Sequence, residues 1–243
     1  NGSGTVFFTG CNLDCAFCQN YEVSHLKKGK PITYKRLADI FRELEEKGAH
    51  NINLVSPSHY VGAIIRALDI YKPKIPVVYN SGGYDTPENI RALKDYADIF
   101  LMDLKYLSPD RAKKYSGAEN YPEYAVSAVK QAYLQQPECV FKNGIMQKGV
   151  IVRHLLLPLG TREAIAVFDW VRENTPGVYF SIMSQYTPCG RAEQYPEINR
   201  RVTKREYEKV LAYICNTDFE NVYIQEKTSS DKKFIPPFDL AGV

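Results

Sequence analysis

Residues 5–20 read Thr5-Val6-Phe7-Phe8-Thr9-Gly10-Cys11-Asn12-Leu13-Asp14-Cys15-Ala16-Phe17-Cys18-Gln19-Asn20. A β-branched and aromatic run, a strand signal, breaks at a glycine into a loop that carries three cysteines. Downstream the strand and helix patterns alternate. Leu37, Ile40, Phe41 and Leu44 recur at helical spacing within residues 33–47, and Gly48 ends that helix. Residues 51–55 read as a second strand, 59–71 as a helix and 75–79 as a third strand. Thr86-Pro87 then sets an N-cap and a first-turn proline. Further strands follow at 99–104, 150–156 and 178–182, with helical stretches at 124–135 and 162–174. A capping box from Thr203 to Glu206 opens a helix running to about Cys215, and two prolines exclude a helix from the closing FIPPFDLAGV.

Strands alternating with helices call for a parallel sheet with helical crossovers. Six such units point to an α/β fold built as an incomplete (β/α)6 TIM-like barrel. A doubly wound open sheet shares the same periodicity. The 243 residues, 44% hydrophobic and 24% charged, suffice for one large core. We read one domain over 1–243, with its core at about 4–185 and a C-terminal extension at 186–243. A net charge of +3 without a long block of one sign gives no footprint for nucleic acid. No apolar run approaches the roughly 18–20 residues of a membrane span, and no export signal opens the chain. The abrupt start suggests that sequence continues upstream.

Of six cysteines, Cys11, Cys15 and Cys18 crowd into eight residues, while Cys139, Cys189 and Cys215 are scattered. A chain this long without an export signal is a poor disulfide scaffold. Thiolates select zinc, copper(I) or iron–sulfur clusters. A structural zinc needs four closed ligands, so the fourth would come from a distant cysteine or from His25, His50, His59 or His154. Three thiolates on a [4Fe–4S] cubane leave one iron open to a ligand. Reduced thiols without metal are the third reading. Cys215, beside Leu211 and Ile214, reads as core.

Ligands of parallel α/β folds bind at the C-terminal ends of the strands. That rim collects Ser56, Ser58 and His59 after strand two, and Asn80, Ser81, Gly82 and Gly83 after strand three. It also collects Asp103 and Lys105 at strand four, Arg153 on strand five, and Gln185 and Tyr186 after strand six. Ser58 also reads as a helix cap. Asp103 and Lys105 read as a ligand contact or as an ion pair closing the rim. Arg153 either meets an anion, which a guanidinium matches bidentately, or snorkels to solvent. His154 points to the opposite face and packs. Lys27, Lys28 and Lys30 read as a solvated turn or as a dock for an acidic reductant.

CNLDCAFC matches Cx3CxΦC, with Phe17 as the aromatic residue, and resembles the signature loop of the radical S-adenosylmethionine (SAM) superfamily. Together with NLVSPSHY, YNSGGY, FLMDLKY, VRHLLLPLG, SQYTP and IPPFDLAGV, the chain resembles the branch related to pyruvate formate-lyase activating enzyme, in its PflX-like members. The resemblance implies a [4Fe–4S] cluster on Cys11, Cys15 and Cys18. SAM binds the open iron and is cleaved reductively to a 5′-deoxyadenosyl radical that abstracts hydrogen from a substrate. It implies cofactor contacts from Phe17, Ser56, Ser58, His59, Asn80, Ser81, Asp103, Lys105 and Arg153. The Gly-Gly-Glu segment of many members is replaced here by Ser56-Pro57-Ser58-His59. The implied partners are a glycyl-radical enzyme or peptide substrate and a flavodoxin or ferredoxin reductant, in the cytoplasm. The same machinery serves small molecules in other members. A non-catalytic iron–sulfur or zinc protein is the alternative from another class.

Overall fold

The computed structural model describes residues 2–224 together with 238, 240 and 242. Its strands are β1 (Ser3–Phe7), β2 (Asn51–Val55), β3 (Val77–Ser81), β4 (Ile99–Asp103), β5 (Val140–Lys142), β6 (Ile145–Leu155), β7 (Tyr179–Met183) and β8 (Val222–Ile224). The sheet runs β1-β2-β3-β4-β6-β7-β8 with every neighbouring pair parallel, and β5 folds back antiparallel on the first half of β6. Among the described residues β1 and β8 do not pair. The fold is an incomplete TIM-like barrel.

Among the described residues seven strands are parallel, one more than the six units read from the sequence. β8 is three residues long and carries no readable alternation. β6 starts at Ile145 rather than 150, because its first half pairs with the β5 hairpin. β3 starts at Val77 rather than 75, since Pro76 offers the ladder only a carbonyl, which accepts the Ile52 N–H at 2.9 Å.

The helices are α1 (Tyr21–Ser24), α2 (Tyr34–Glu46), α3 (Val61–Ile70), α4 (Pro87–Ala92), α5 (Pro109–Ser116), α6 (Tyr121–Gln135), α7 (Thr161–Asn174) and α8 (Lys204–Cys215). Thr33, Thr86, Ser108 and Thr203 cap four of them by accepting a backbone N–H three residues on. Ser58 does not cap: a 3-10 turn over Ser58–Tyr60 precedes α3, and the Ser58 hydroxyl is engaged elsewhere.

One face of the sheet packs under the helices. Ile52 and Leu54 meet Leu37, Phe41, Ile64 and Leu68 of α2 and α3. Phe100, Val152 and Phe180 meet Val129 and Phe168 of α6 and α7. Side chains alternate across a strand, so the intervening residues face into the barrel. At the N-terminal end these are Val78, Ile99, Ile151 and Tyr179, closed by Met146 and Cys139. Toward the C-terminal end they are Asn53, Asn80, Asp103 and Arg153. The floor is apolar and the layer above it polar.

Cys215 is exposed, contrary to the expectation that it is core. The buried stripe of α8 is Tyr207, Val210 and Ile214, and Cys215 stands one helical step off it. FIPPFDLAGV lies outside the described residues except for Phe238, Leu240 and Gly242. Phe238 meets Phe7 edge-on at 5.2 Å.

Candidate metal centre

The cysteine loop leaves β1 and is tied down on several sides. Asp14 N–H donates to Ser116 O at 3.0 Å and Ala16 N–H to Tyr115 O at 2.8 Å, both at the end of α5. Asn12 Nδ2 reaches Tyr84 O at 2.5 Å, and Arg191 N–H donates to Ala16 O at 2.6 Å. His59 Nε2 stands 3.0 Å from Thr9 O, bracing the chain where it enters the loop. Phe17 is buried and packs edge-on against Tyr186 at 5.8 Å. These anchors come from distant parts of the chain, so the loop's shape is a tertiary product.

Cys11 is exposed, Cys18 half-buried and Cys15 buried. The Leu13 N–H donates to Cys11 Sγ at 3.5 Å. Cys15 Sγ meets Ser116 Oγ at 3.1 Å, and Cys18 Sγ meets Ser24 Oγ at 3.1 Å. Burial pushes the Cys15 thiol up to about 11, against the lowering influence of Lys105 and Ser116. A metal reverses that balance, because a ligating thiol is deprotonated.

Cys139 sits on the barrel floor, whereas Cys189 Sγ donates to Phe17 O of the cysteine loop at 3.1 Å. Among the described residues no three His, Cys, Asp or Glu side chains converge as they must around a single ion. A cubane instead takes each thiolate on a different iron, so its sulfurs stand spaced around a cage. Three soft thiols on one anchored loop, with the Lys105 cation acting on Cys11 and Cys15, fit an iron–sulfur cluster.

Below the loop the inward polar residues form one chain. Asn80 Nδ2 donates to Asn53 Oδ1 at 3.1 Å, and Arg153 Nη2 donates to Asn80 Oδ1 at 2.7 Å. Arg153 Nε donates to Asp103 Oδ1 at 2.8 Å, and Lys105 Nζ to Asp103 Oδ2 at 2.5 Å. Burial works against ionising Asp103, but the charges of Arg153 and Lys105 outweigh it and hold the carboxyl below its ordinary value. Burial likewise opposes the Lys105 charge, and Asp103 and Cys15 more than restore it. Four strands thus deliver one ion-paired layer, and Asp103 and Lys105 do close the rim as a pair.

Two further predicted residues are committed elsewhere. Ser58 Oγ donates to Asp85 Oδ2 at 3.1 Å, and the Ser81 hydroxyl donates to the same carboxylate oxygen. Tyr79 OH donates to Asp85 Oδ1 at 2.9 Å. Burial raises the Asp85 carboxyl, and these three hydroxyls work against it. Ser56 sits at φ +57° with its N–H on Asn80 O at 3.1 Å. Gln185 Nε2 stands 4.0 Å from Met183 Sδ, and Tyr186 OH donates to Ile198 O at 2.8 Å. His154, buried on the helix-facing side, bonds Leu104 O through Nδ1 at 2.8 Å. Lys28 pairs with Glu22 at 3.0 Å.

Sequence reasoning passed over Asp85, Ser24, Ser116, Tyr121, Arg191 and Asn53. Only Asn53 left a signal: in NINLV two asparagines occupy alternate positions of a strand whose other face is apolar.

An incomplete parallel barrel, with three thiols on the loop after its first strand, defines an iron–sulfur protein of the (β/α) barrel class. The chain matches the Radical SAM superfamily over residues 5–150, more than half its length, and belongs to it. The superfamily's cofactors, a [4Fe–4S] cluster and SAM, are those of this chain. It is 31% identical over 231 residues to "Uncharacterized protein MJ0674" of Methanocaldococcus jannaschii, covering 91% of this chain and 64% of that protein. It is similar in fold to Streptococcus suis SuiB bound to precursor peptide SuiA, with TM-score 0.61, 16% identity and coverage of 91% of this chain and 48% of that one. HydG, a maturase of the [FeFe]-hydrogenase, matches with TM-score 0.57, 16% identity and coverage of 88% and 49%. The chain thus spans under two thirds of the archaeal relative and about half of each solved neighbour. No helix among the described residues is long and apolar enough to cross a membrane.

Proposed function

We propose that this chain is a radical SAM enzyme acting in the cytoplasm on a peptide or protein substrate. The carrying observation is the anchored three-thiol loop, with Cys15 and Cys18 each meeting a serine hydroxyl, set above an ion-paired layer on the inner face. Cys11, Cys15 and Cys18 would hold the cluster, which together with SAM would supply one-electron reductive cleavage chemistry for hydrogen abstraction.

The chain's own residues orient and enclose. Arg153 offers a guanidinium to a ligand carboxylate, which would share it with Asp103. Asn80 and Lys105 offer further donors beside it. Phe17 and Tyr186 exclude water behind the loop. His59 supports the loop through Thr9 and leaves Ser56 to offer its backbone at the same rim.

One observation favours a peptide over a small molecule: a fold neighbour, SuiB, is described as bound to a precursor peptide. Glycine hydrogen abstraction from a glycyl-radical enzyme, as the PflX-like resemblance implies, is the finer form of this reading. A flavodoxin- or ferredoxin-type protein supplies the electron.

The test is anaerobic reconstitution with iron and sulfide, reduction, and addition of SAM. Release of 5′-deoxyadenosine and methionine is expected. A loaded, reduced protein that releases neither refutes the reading. Candidate glycyl-radical enzymes are then added singly, and a glycyl doublet in electron paramagnetic resonance identifies the partner.

A further inference from the structure

The segment that follows β7 runs against the cysteine loop. Tyr186 packs on the Phe17 ring, and three residues further on the contact passes to the backbone. Cys189 Sγ donates to Phe17 O at 3.1 Å, Arg191 N–H to Ala16 O at 2.6 Å, and Arg191 Nη2 to Asp14 O at 3.2 Å. Gly190 lies between them at φ +57°, in a turn closed by the Ala192 N–H on Cys189 O at 3.0 Å. A Cβ on Gly190 would stand 2.9 Å from Ala16 O and 3.4 Å from both Cys18 N and the Tyr21 ring. Glycine is the residue that takes this φ and allows so close an approach.

The loop's other anchor is the end of α5, where Ser116 O and Tyr115 O accept the N–H groups of Asp14 and Ala16. Cys15 O accepts the Cys18 N–H at 3.2 Å. Two donors are left over. Among the described residues no backbone carbonyl accepts the N–H of Cys15 or of Phe17, although both residues are buried. Buried backbone N–H groups are almost always paired, so these two are available to a ligand of the loop. The strap fixes where they point. In a planar trans peptide the C=O and the following N–H face opposite ways. Holding the Asp14 and Ala16 carbonyls therefore turns the Cys15 and Phe17 N–H groups away from the strap.

A cluster sulfur is an anionic acceptor, and a hydrogen bond to it favours the more negative, reduced state and so raises the potential. We propose that Cys189, Gly190 and Arg191 are positioning residues of the metal centre: their grip on the loop's carbonyls presents the Cys15 and Phe17 N–H groups to the sulfurs of the bound cluster and so sets its potential. This rests on the cluster assignment above. The electron comes from the external reductant, and no covalent bond of strap or loop changes.

The test uses the full chain, reconstituted anaerobically, with iron and sulfide analysis to establish loading. Dithionite titration at one fixed pH, followed by electron paramagnetic resonance, reads the midpoint potential. Gly190→Ala should retain iron and lower the ratio of reduced to oxidised cluster at a given potential about tenfold, equal to about 59 mV for one electron. Gly177→Ala is the control. It carries the same backbone penalty at φ +91°, with Pro137 O 3.2 Å from its Cβ and no contact with the loop. It should lower the melting temperature and leave the potential at the wild-type value. Cys189→Ala should shift the potential in the same direction by less, and Cys189→Ser, which keeps a donor for Phe17 O, should restore it. A Gly190→Ala protein that keeps its iron and the wild-type potential while melting lower, as the control does, makes the strap structural only and overturns the proposal. If Gly190→Ala takes up no iron, the Cys189 pair decides, and a wild-type potential in Cys189→Ala overturns the proposal. A wild-type chain that takes up no iron overturns the metal centre itself, a separate and recognisable result.

Discussion

Gly83→Ala is expected to be among the most damaging single-methyl changes in the chain. Gly83 sits at φ +85°, and a Cβ there would lie 1.9 Å from Asp103 O and 2.8 Å from Tyr121 OH, where ordinary contact begins at 3.4 Å. The positive φ alone costs a non-glycine residue about 1–2 kcal/mol. The carbonyl cannot retreat freely, because it accepts Tyr121 OH at 2.8 Å, and the same hydroxyl bonds Gly82 O at 3.0 Å and takes Lys105 N–H at 2.9 Å. Disturbing two or three such bonds adds about 0.5–1.5 kcal/mol each. The total is about 2–6 kcal/mol, which lowers the melting temperature of a chain this size by about 4–25 °C. Gly62→Ala is the control: on α3, with nothing within 4 Å of its Cβ and no positive φ, it should stabilise by up to about 1 kcal/mol. Scanning calorimetry measures both. Tyr121→Phe should cost clearly less in the Gly83→Ala background than alone, since the clamp is already sprung. A Gly83→Ala melting point within about 2 °C of wild type, or strict additivity with Tyr121→Phe, refutes the reasoning.

Cys15→Ala should lose the cluster, read as iron content and visible absorption, whereas Cys189→Ala and Cys215→Ala should keep it. His154 is buried and its protonation is suppressed, first by burial. The folded pKa thus lies below the unfolded value of about 6.5, so stability is full above that pH and falls as acid protonates the unfolded chain. The drop in urea midpoint below about pH 6.5 should shrink in His154→Gln. Glu206 accepts from Thr203 N–H and Leu159 N–H at 2.8 Å each and from Arg200 at 2.7 Å, and Arg200 first among these holds its carboxyl well below the ordinary range. Its contribution is present above about pH 4.3 and lost as pH falls through the folded value. Glu206→Gln should cost about 1–3 kcal/mol by urea unfolding near neutral pH.

The barrel was legible because it is written locally. The run at Thr5, the helical spacing of Leu37 to Leu44, the cap at Thr86 and the box at Thr203 each declare an element within a few residues. β8 was not legible, since three residues show no period and its partner β7 is remote in sequence; β5 was passed over, although Asn143-Gly144 between it and β6 is a hairpin signal. The thiol loop was legible as spacing. Its supports were not: Ser116 and Ser24 are unremarkable serines until α5 and α1 bring them to 3.1 Å from sulfur. The same holds for Ser58 and Ser81. They sit where rim residues belong, and only the fold reveals that Asp85 claims their hydroxyls.

The composition of the inner face supports the proposed ligand role of its polar layer. One layer lower, the same barrel is filled by Val78, Ile99, Ile151 and Tyr179, so this architecture packs well with apolar side chains. Replacing buried ion pairs by apolar groups of similar volume is often neutral or stabilising. Asp103, Lys105 and Arg153 each have under a quarter of the side chain exposed, and the proposed ligand role predicts that stability does not depend on them. Removing one alone would strand its partners, so the informative change is all three together: Asp103→Leu, Lys105→Met and Arg153→Leu. The triple variant should unfold at the wild-type temperature or above it, and its affinity for SAM, measured calorimetrically on the reconstituted protein, should fall at least about tenfold, the equivalent of 1.4 kcal/mol. A variant that melts far below wild type would make the layer structural. One that folds and still binds SAM with wild-type affinity would leave these three residues without the proposed role.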